Sequence, residues 1–532
     1  MIMALWNQTS PKTRTWRGST KALLFFNLLL FASATAGPKF VSLQLHRNAQ
    51  PSLVKRSVAE VPLDYFYAKN LFWLNATVGT PPQPVQLQID TGSSDVWVFG
   101  PDSCGSGQCY GKHYDDSQSS TASLIDKDGF QITYGDYSQV FGDYMSDNFQ
   151  ISSITIKDLE FAVARETSEG LIGVMGIGFD AGESIAYASG KSYKNIMDSM
   201  VDQGLISSRS YSLWLNDLES GTGNILFGGY DTAKFKGNLT PIAIQNDAQS
   251  GKITSMTVPW TSLSITDPTE GTTSLTGKDF AEPALLDSGT SLSFVPQDIY
   301  DQVASFANVF YYEDMAYVEC EVMKSYKGTL NFGFDGSGGP MISVLFSELC
   351  PPMVDIDGAP ITLSNGNTLC GFGLEAAQEG DTIVLGDSFL RSAYVVYNLD
   401  RKEIAIAPTI FETDESNVVE IDAQGSSGDQ IWHLSGGVTV QQTATARPEG
   451  PGQQDTMTVT TELSYTPTAT GFHLTSSAVS QTSTSSQQSG SAQSTEASQG
   501  TATSSAAPKS GAFVSLMISI IFLFLGSELI LT

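Results

Sequence analysis

Asp90-Thr91-Gly92-Ser93-Ser94 and Asp287-Ser288-Gly289-Thr290-Ser291 state one chemical theme twice, far apart in the chain. Each string offers one carboxylate on a glycine turn, followed by hydroxyl side chains that can donate hydrogen bonds to it. Two carboxylates brought together can do general acid–base work on a peptide bond. One takes a proton from water while the other protonates the carbonyl oxygen, so no covalent intermediate is needed. Aspartates held about 3 Å apart cannot both ionise readily, and one shared proton gives the pair both roles. Glycine in such a turn lets the backbone bend, or approach a neighbour, without a Cβ in the way.

The elements that must position these turns are short and apolar. Before the first, Val85, Leu87 and Ile89 alternate with Gln86 and Gln88, the period of a half-buried strand. Before the second, Ala284, Leu285 and Leu286 form a continuous apolar run. Both aspartates therefore leave a buried strand and enter a turn. A single Asp-Thr-Gly occurs by chance in loops. Two copies with hydroxyl-rich tails point to an aspartic endopeptidase.

From about Leu71 to Pro408 the chain resembles the pepsin-like aspartic proteases, and in its ends the yapsin-like, surface-anchored fungal members. Val78-Gly79-Thr80-Pro81-Pro82-Gln83 is similar to the family's lead-in to the first aspartate, and Trp97 follows at the family's distance. Ile132-Thr133-Tyr134-Gly135 resembles the flap hairpin. Val174-Met175-Gly176 and Val384-Leu385-Gly386 resemble the segments threaded behind the catalytic loops. Gly386-Asp387-Ser388-Phe389-Leu390-Arg391 and Tyr394-Val395-Val396-Tyr397 resemble the closing strands of the second lobe.

The resemblance implies an all-β, bilobal fold with the cleft between two lobes, Asp90 and Asp287 as the catalytic pair, and Gly92 and Gly289 as their turn glycines. It implies that Thr91 and Ser288 cross-link the loops and that Ser93 and Thr290 hydrogen-bond the outer carboxylate oxygens. Tyr134, Gly135 and Asp136 would cover the cleft from the flap, with Trp97 lining it. The chain departs from the family at Tyr137, where a small residue is usual. Tyr137 would project as a lid or narrow the cleft. Asp136 could pair with a Lys or Arg before the scissile bond, or simply cap the hairpin turn.

Rival chemistries fail on inventory. Of four histidines only His113 falls in the globular region, in a Gly-Lys-His-Tyr-Asp loop, so a Ser-His or Cys-His hydrolase and a histidine metal site lack their parts. Gly173, Gly176 and Gly178 lack the acidic partner of a nucleotide-binding turn. A two-carboxylate glycosidase shares the acid–base logic, but does not call for duplicated Asp-(Thr/Ser)-Gly turns. No cofactor and no metal are expected. The alternative within the fold is a catalytically silent surface protein that binds peptide or wall components. Retention of both aspartates and Tyr134 argues against it.

Composition and the chain ends describe a surface enzyme. The 532 residues are 41% hydrophobic and 16% charged, with a net charge of -29, which argues against nucleic-acid binding and for an acidic or extracellular setting. Lys12, Arg14, Arg17 and Lys21 precede the apolar run from Ala22 to Phe31 and the small residues Ala34-Thr35-Ala36, so residues 1–36 read as a signal peptide, with a signal anchor as the alternative. Residues 37–56 read as a propeptide ending at Lys55-Arg56. The first lobe is expected over 57–236 and the second over 237–413. Residues 414–507 read as a disordered stalk, dominated from about Gln424 to Ala507 by Ser, Thr, Gln, Gly and Ala. Residues 508–532, apolar from Ala512 to Leu525, read as a glycolipid-anchor signal, with a retained tail helix as the alternative. The expected partners are peptide or protein substrates and a membrane, with the enzyme a monomer at the plasma membrane or cell wall.

Five cysteines suit an oxidising compartment. By resemblance Cys104 pairs with Cys109 and Cys320 with Cys370, leaving Cys350 over; Cys320 with Cys350 is the rival pairing. Asn75-Ala76-Thr77 and Asn238-Leu239-Thr240 are glycosylation sequons, the first expected to be shielded within a strand.

Overall fold

Alternation before Asp90 produces the strand Gln83–Asp90, with Val85, Leu87 and Ile89 buried. It lies antiparallel to Trp73–Val78 and parallel to Gly173–Gly176, with Ile89 opposite Met175 and Asp90 opposite Gly176. Val96–Phe99, which follows the Asp90-Thr91-Gly92 turn, returns antiparallel to Gly173–Gly176. The second half repeats the arrangement. Glu282–Leu286 runs parallel to Ile383–Leu385, with Leu286 opposite Leu385, and Ser293–Pro296 crosses back with Phe294 opposite Val384. The structure is a computed structural model that describes residues 40–46, 71–104, 111–135, 138–167, 172–312, 315–354, 359–423 and 437–444.

The fold is the all-β, bilobal one expected. A 13-stranded sheet carries the first lobe and extends beyond it. Its far end is Ser210–Trp214, Ala393–Asn398, Glu403–Pro408 and Thr240–Ala243, so a strand from the second half of the chain pairs directly with one from the first half. A division at residue 236 therefore falls inside a shared sheet. An eight-stranded sheet forms the second lobe around Thr257–Asp267, whose Trp260, Leu263 and Ile265 are buried. Helices are short; the longest described, Gln297–Phe306, buries Ile299, Tyr300, Val303, Ala304 and Phe306 against that lobe.

Folded chain extends to either side of the expected lobes. Within the expected propeptide, Val41–His46 is a strand paired antiparallel with Thr222–Phe227, and Val41 and Leu43 join the core. Val41 and Leu43, two residues apart, turn their side chains to the buried face while Ser42 between them is exposed. At the other end, folded chain continues past Thr413: Val418–Glu420 pairs with Gly229–Asp231, and Ile421 is fully buried. Even in the expected stalk, residues 437–444 lie on the second lobe. Asp335 Oδ1 accepts the Val438 N–H at 2.7 Å and Gln245 Oε1 the Val440 N–H at 3.0 Å, while the Ala248 N–H donates to the Gln442 carbonyl at 2.9 Å.

The cysteine alternatives close in favour of Cys320–Cys370, with Cys350 buried and free. Cys104 is also disulfide-bonded, and Cys109 lies outside the described residues. Asn75 is exposed rather than shielded, because the strand's alternation turns its side chain outward between Leu74 and Ala76. Asn238 is exposed too.

Candidate active site

The two catalytic-type turns meet across the lobes, each glycine lying beneath the other turn's carboxyl group. A Cβ added to Gly92 would stand 2.5 Å from Asp287 Oδ1, and one added to Gly289 would stand 2.4 Å from Asp90 Oδ1. Any side chain there would displace the opposite carboxylate, which is the physical reason for glycine in both strings. Asp90 and Asp287 are each only 4% exposed.

Hydrogen bonds repeat with the same symmetry. Asp90 Oδ1 accepts the Gly92 N–H and Asp287 Oδ1 the Gly289 N–H, both at 2.8 Å. Ser93 Oγ donates to Asp90 Oδ2, and Thr290 Oγ1 donates to Asp287 Oδ2 at 2.8 Å. The Ser288 N–H donates to Thr91 Oγ1 at 2.9 Å, and the Thr91 N–H to Ser288 Oγ at 3.3 Å. Each hydroxyl then reaches the strand of the other lobe: Thr91 Oγ1 donates to the Leu286 carbonyl at 2.8 Å and Ser288 Oγ to the Ile89 carbonyl at 2.9 Å. The result is a locked joint with two carboxyl groups side by side and their outer oxygens satisfied.

The threaded segments hold the loops from behind. The Ile177 N–H donates to the Asp90 carbonyl at 3.0 Å, and the Asp387 N–H to the Thr290 carbonyl at 2.8 Å. Ser123–Thr133 and Gln139–Ile151 form a hairpin with Thr133 opposite Gln139, closed by the Tyr134 N–H to the Ser138 carbonyl at 3.0 Å. Trp97 Nε1 donates to the Tyr134 hydroxyl at 2.6 Å, tying the hairpin to the strand after the first turn. Gly135 is at its tip; Asp136 and Tyr137 lie outside the described residues.

The sequence assigns no role at the site to three residues near the pair. Gln88 Nε2 donates to the Gly289 carbonyl at 2.7 Å and so adds a further link between lobes. Tyr211 and Tyr397 stack with ring centroids 4.8 Å apart, and burial first, then nearby acidic and phenolic groups including Asp287, pushes both phenols far up. Both side chains are fully buried. Among the described residues no cluster of His, Cys, Asp or Glu is arranged to hold a metal ion.

Such a joint can carry out acid–base hydrolysis at a buried carboxyl pair. The chain belongs to the eukaryotic aspartyl protease family, whose model matches residues 72–409, and is an aspartic-type endopeptidase, a hydrolase. Among its relatives is "Probable aspartic-type endopeptidase OPSB" of Arthroderma benhamiae, 38% identical over 76% of this chain and 82% of that protein. Barrierpepsin of Saccharomyces cerevisiae is 31% identical over 69% of this chain and 65% of that one. "Secreted aspartic protease 3" of Candida albicans is 32% identical over 69% and 86%.

Proposed function

We propose that Asp90 and Asp287 are the catalytic pair of a secreted, surface-anchored endopeptidase. Water held between the carboxyl groups gives a proton to the ionised member as its oxygen bonds the peptide carbonyl carbon. The protonated member passes its proton to the carbonyl oxygen, and collapse of the tetrahedral species sends a proton to the leaving nitrogen. Thr91 and Ser288 hold the loops in register, Ser93 and Thr290 fix the outer oxygens, and Tyr134 with Trp97 closes over substrate. The observation that carries this reading is the reciprocal approach of each turn glycine to the other turn's carboxylate. The test is incubation of the purified enzyme with a mixed peptide library across acid pH, with and without a statine-type inhibitor. Cleavage abolished by the inhibitor is expected; peptide binding without turnover would overturn the assignment.

Display at the surface rests on the sequence of the ends and on a relative whose name says that it is secreted. Processing after Lys55-Arg56 should give a mature amino terminus at Ser57. A glycolipid should replace the tail beyond about Gly500. Release of the enzyme from cells by a phosphatidylinositol-specific phospholipase is expected. Recovery of the Ala512 to Thr532 peptide from the surface form would instead show a retained tail.

A further inference from the structure

A second pair of buried carboxyl groups lies behind the first catalytic loop. Asp95 follows that loop directly and is 1% exposed; Glu183, next to the helix Ser184–Ser189, is fully buried. Tyr193 bridges them, its hydroxyl donating to Asp95 Oδ1 at 3.0 Å and its N–H to Glu183 Oε2 at 2.8 Å. The Ser184 N–H donates to Asp95 Oδ2 at 2.7 Å, and the Tyr144 hydroxyl lies 3.0 Å from Ser184 Oγ. Glu183 Oε1 is buried with no hydrogen-bond partner among the described residues, a costly place for a charged oxygen.

The charged groups that face the pair are mostly acidic. From the preceding turn Asp180 faces Glu183, and from the helix Ile196–Asp202 comes Asp198, itself paired with Arg209 at 3.1 Å. Lys191 and Lys194 on the Tyr193 loop are exposed, and Lys194 is paired with Asp202. Neither Asp95 nor Glu183 has an ion-pair partner among the described residues. What they hold together matters for the site. Tyr144 stands on the returning flap strand and packs edge-on against Phe130 of the ascending one at 5.5 Å. Ile185 and Tyr193 pack into the same cluster as Trp97 and Tyr134.

We propose that Asp95 and Glu183 form a proton-loaded clasp, a positioning pair that keeps the floor of the flap closed while it carries a proton and opens when that proton is lost. Burial, then the neighbouring Asp95 charge, pushes the Glu183 carboxyl up to about 9, and burial raises Asp95 as well. A carboxyl group raised on folding contributes its full stability below its ordinary value and loses it as pH climbs toward the folded value. Between those limits the folding equilibrium drops about tenfold per pH unit. The clasp thus sets an alkaline limit separate from the titration of the catalytic pair.

The experiment incubates the enzyme at a series of pH values between about 5 and 9, returns each sample to one acid pH and assays there, so that the catalytic pair's own titration drops out. Glu183→Gln, which is permanently neutral and nearly isosteric, should leave kcat at acid pH unchanged and move the pH of half-inactivation up by about one unit or more. Tyr193→Phe removes a donor from Asp95 and should move it down, and it carries the test if the Gln variant does not accumulate. Amide exchange at Ser184 and Tyr193 should accelerate over the same pH range, a readout that needs no catalysis and so distinguishes failure of this proposal from failure of the catalytic one. An unmoved half-inactivation pH in Glu183→Gln, or a shift opposite in sign for Tyr193→Phe, overturns the clasp.

Discussion

Asp90→Asn and Asp287→Asn should each lower kcat by at least about a thousandfold while leaving KM within a few-fold, because the lost function exists only in the transition state. The hydrogen bonds explain why the fold survives. In Asp90→Asn the amide oxygen still accepts the Gly92 N–H, and the new NH2 donates to Ser93 Oγ, which as a hydroxyl accepts as readily as it gives. The same exchange works at Asp287 with Gly289 and Thr290. What no rotation restores is the shared proton: a neutral amide is neither base nor acid, and one remaining carboxyl group cannot be both. The check is steady-state kinetics beside near-ultraviolet circular dichroism. Either variant retaining activity within about tenfold of the parent would falsify the pair.

Much of this site was legible because its chemistry is local. A strand running into Asp-(Thr/Ser)-Gly-(Ser/Thr) is a complete instruction, since alternation buries Ile89 and a continuous apolar run buries Leu286, the glycine turns, and the hydroxyl three residues on from each aspartate reaches back to it. Tertiary neighbours were not legible. Ser210–Trp214 is buried along its whole length, and nothing in its residues says that its neighbour is Ala393–Asn398, so neither the shared sheet nor the Tyr211–Tyr397 stack could be read from the sequence.

At the chain ends, motif and composition carry no packing information. Lys55-Arg56 speaks about processing and says nothing about packing, yet Val41–His46 upstream of it is built into the sheet. Composition averaged over the tail hid the few apolar residues near Val438 and Val440, whose main-chain donors find Asp335 and Gln245. Among the second-lobe cysteines, spacing alone left two pairings open; packing chose Cys370 for Cys320 and enclosed Cys350.

Arg391→Leu should destabilise the protein by about 3–5 kcal/mol near neutral pH, the largest stability effect expected of a residue outside the catalytic turns. Arg391 follows the short helix Asp387–Leu390 and is only 2% exposed. Its Nε lies 3.3 Å from Glu348 Oε2, and its Nη2 donates to the Glu348 carbonyl. Glu348 Oε2 in turn accepts the Leu218 N–H at 2.9 Å, so the pair also ties the second lobe to chain from the first half. Burial already raises the Glu348 carboxyl, with Arg391 opposing that rise. Removing the guanidinium therefore pushes it further up, and the cost of the variant grows with pH. Near pH 4 Glu348 takes a proton, in the folded variant as in the unfolded chain, and the loss shrinks; near pH 7 the folded variant must bury a lone charge or stay protonated against the solvent. Denaturant midpoints at the two pH values measure the difference. The double variant Arg391→Leu with Glu348→Gln should recover most of the loss at pH 7, because removing both charges leaves none stranded. A double variant no more stable than Arg391→Leu would mean that the guanidinium acts there through shape and packing rather than charge.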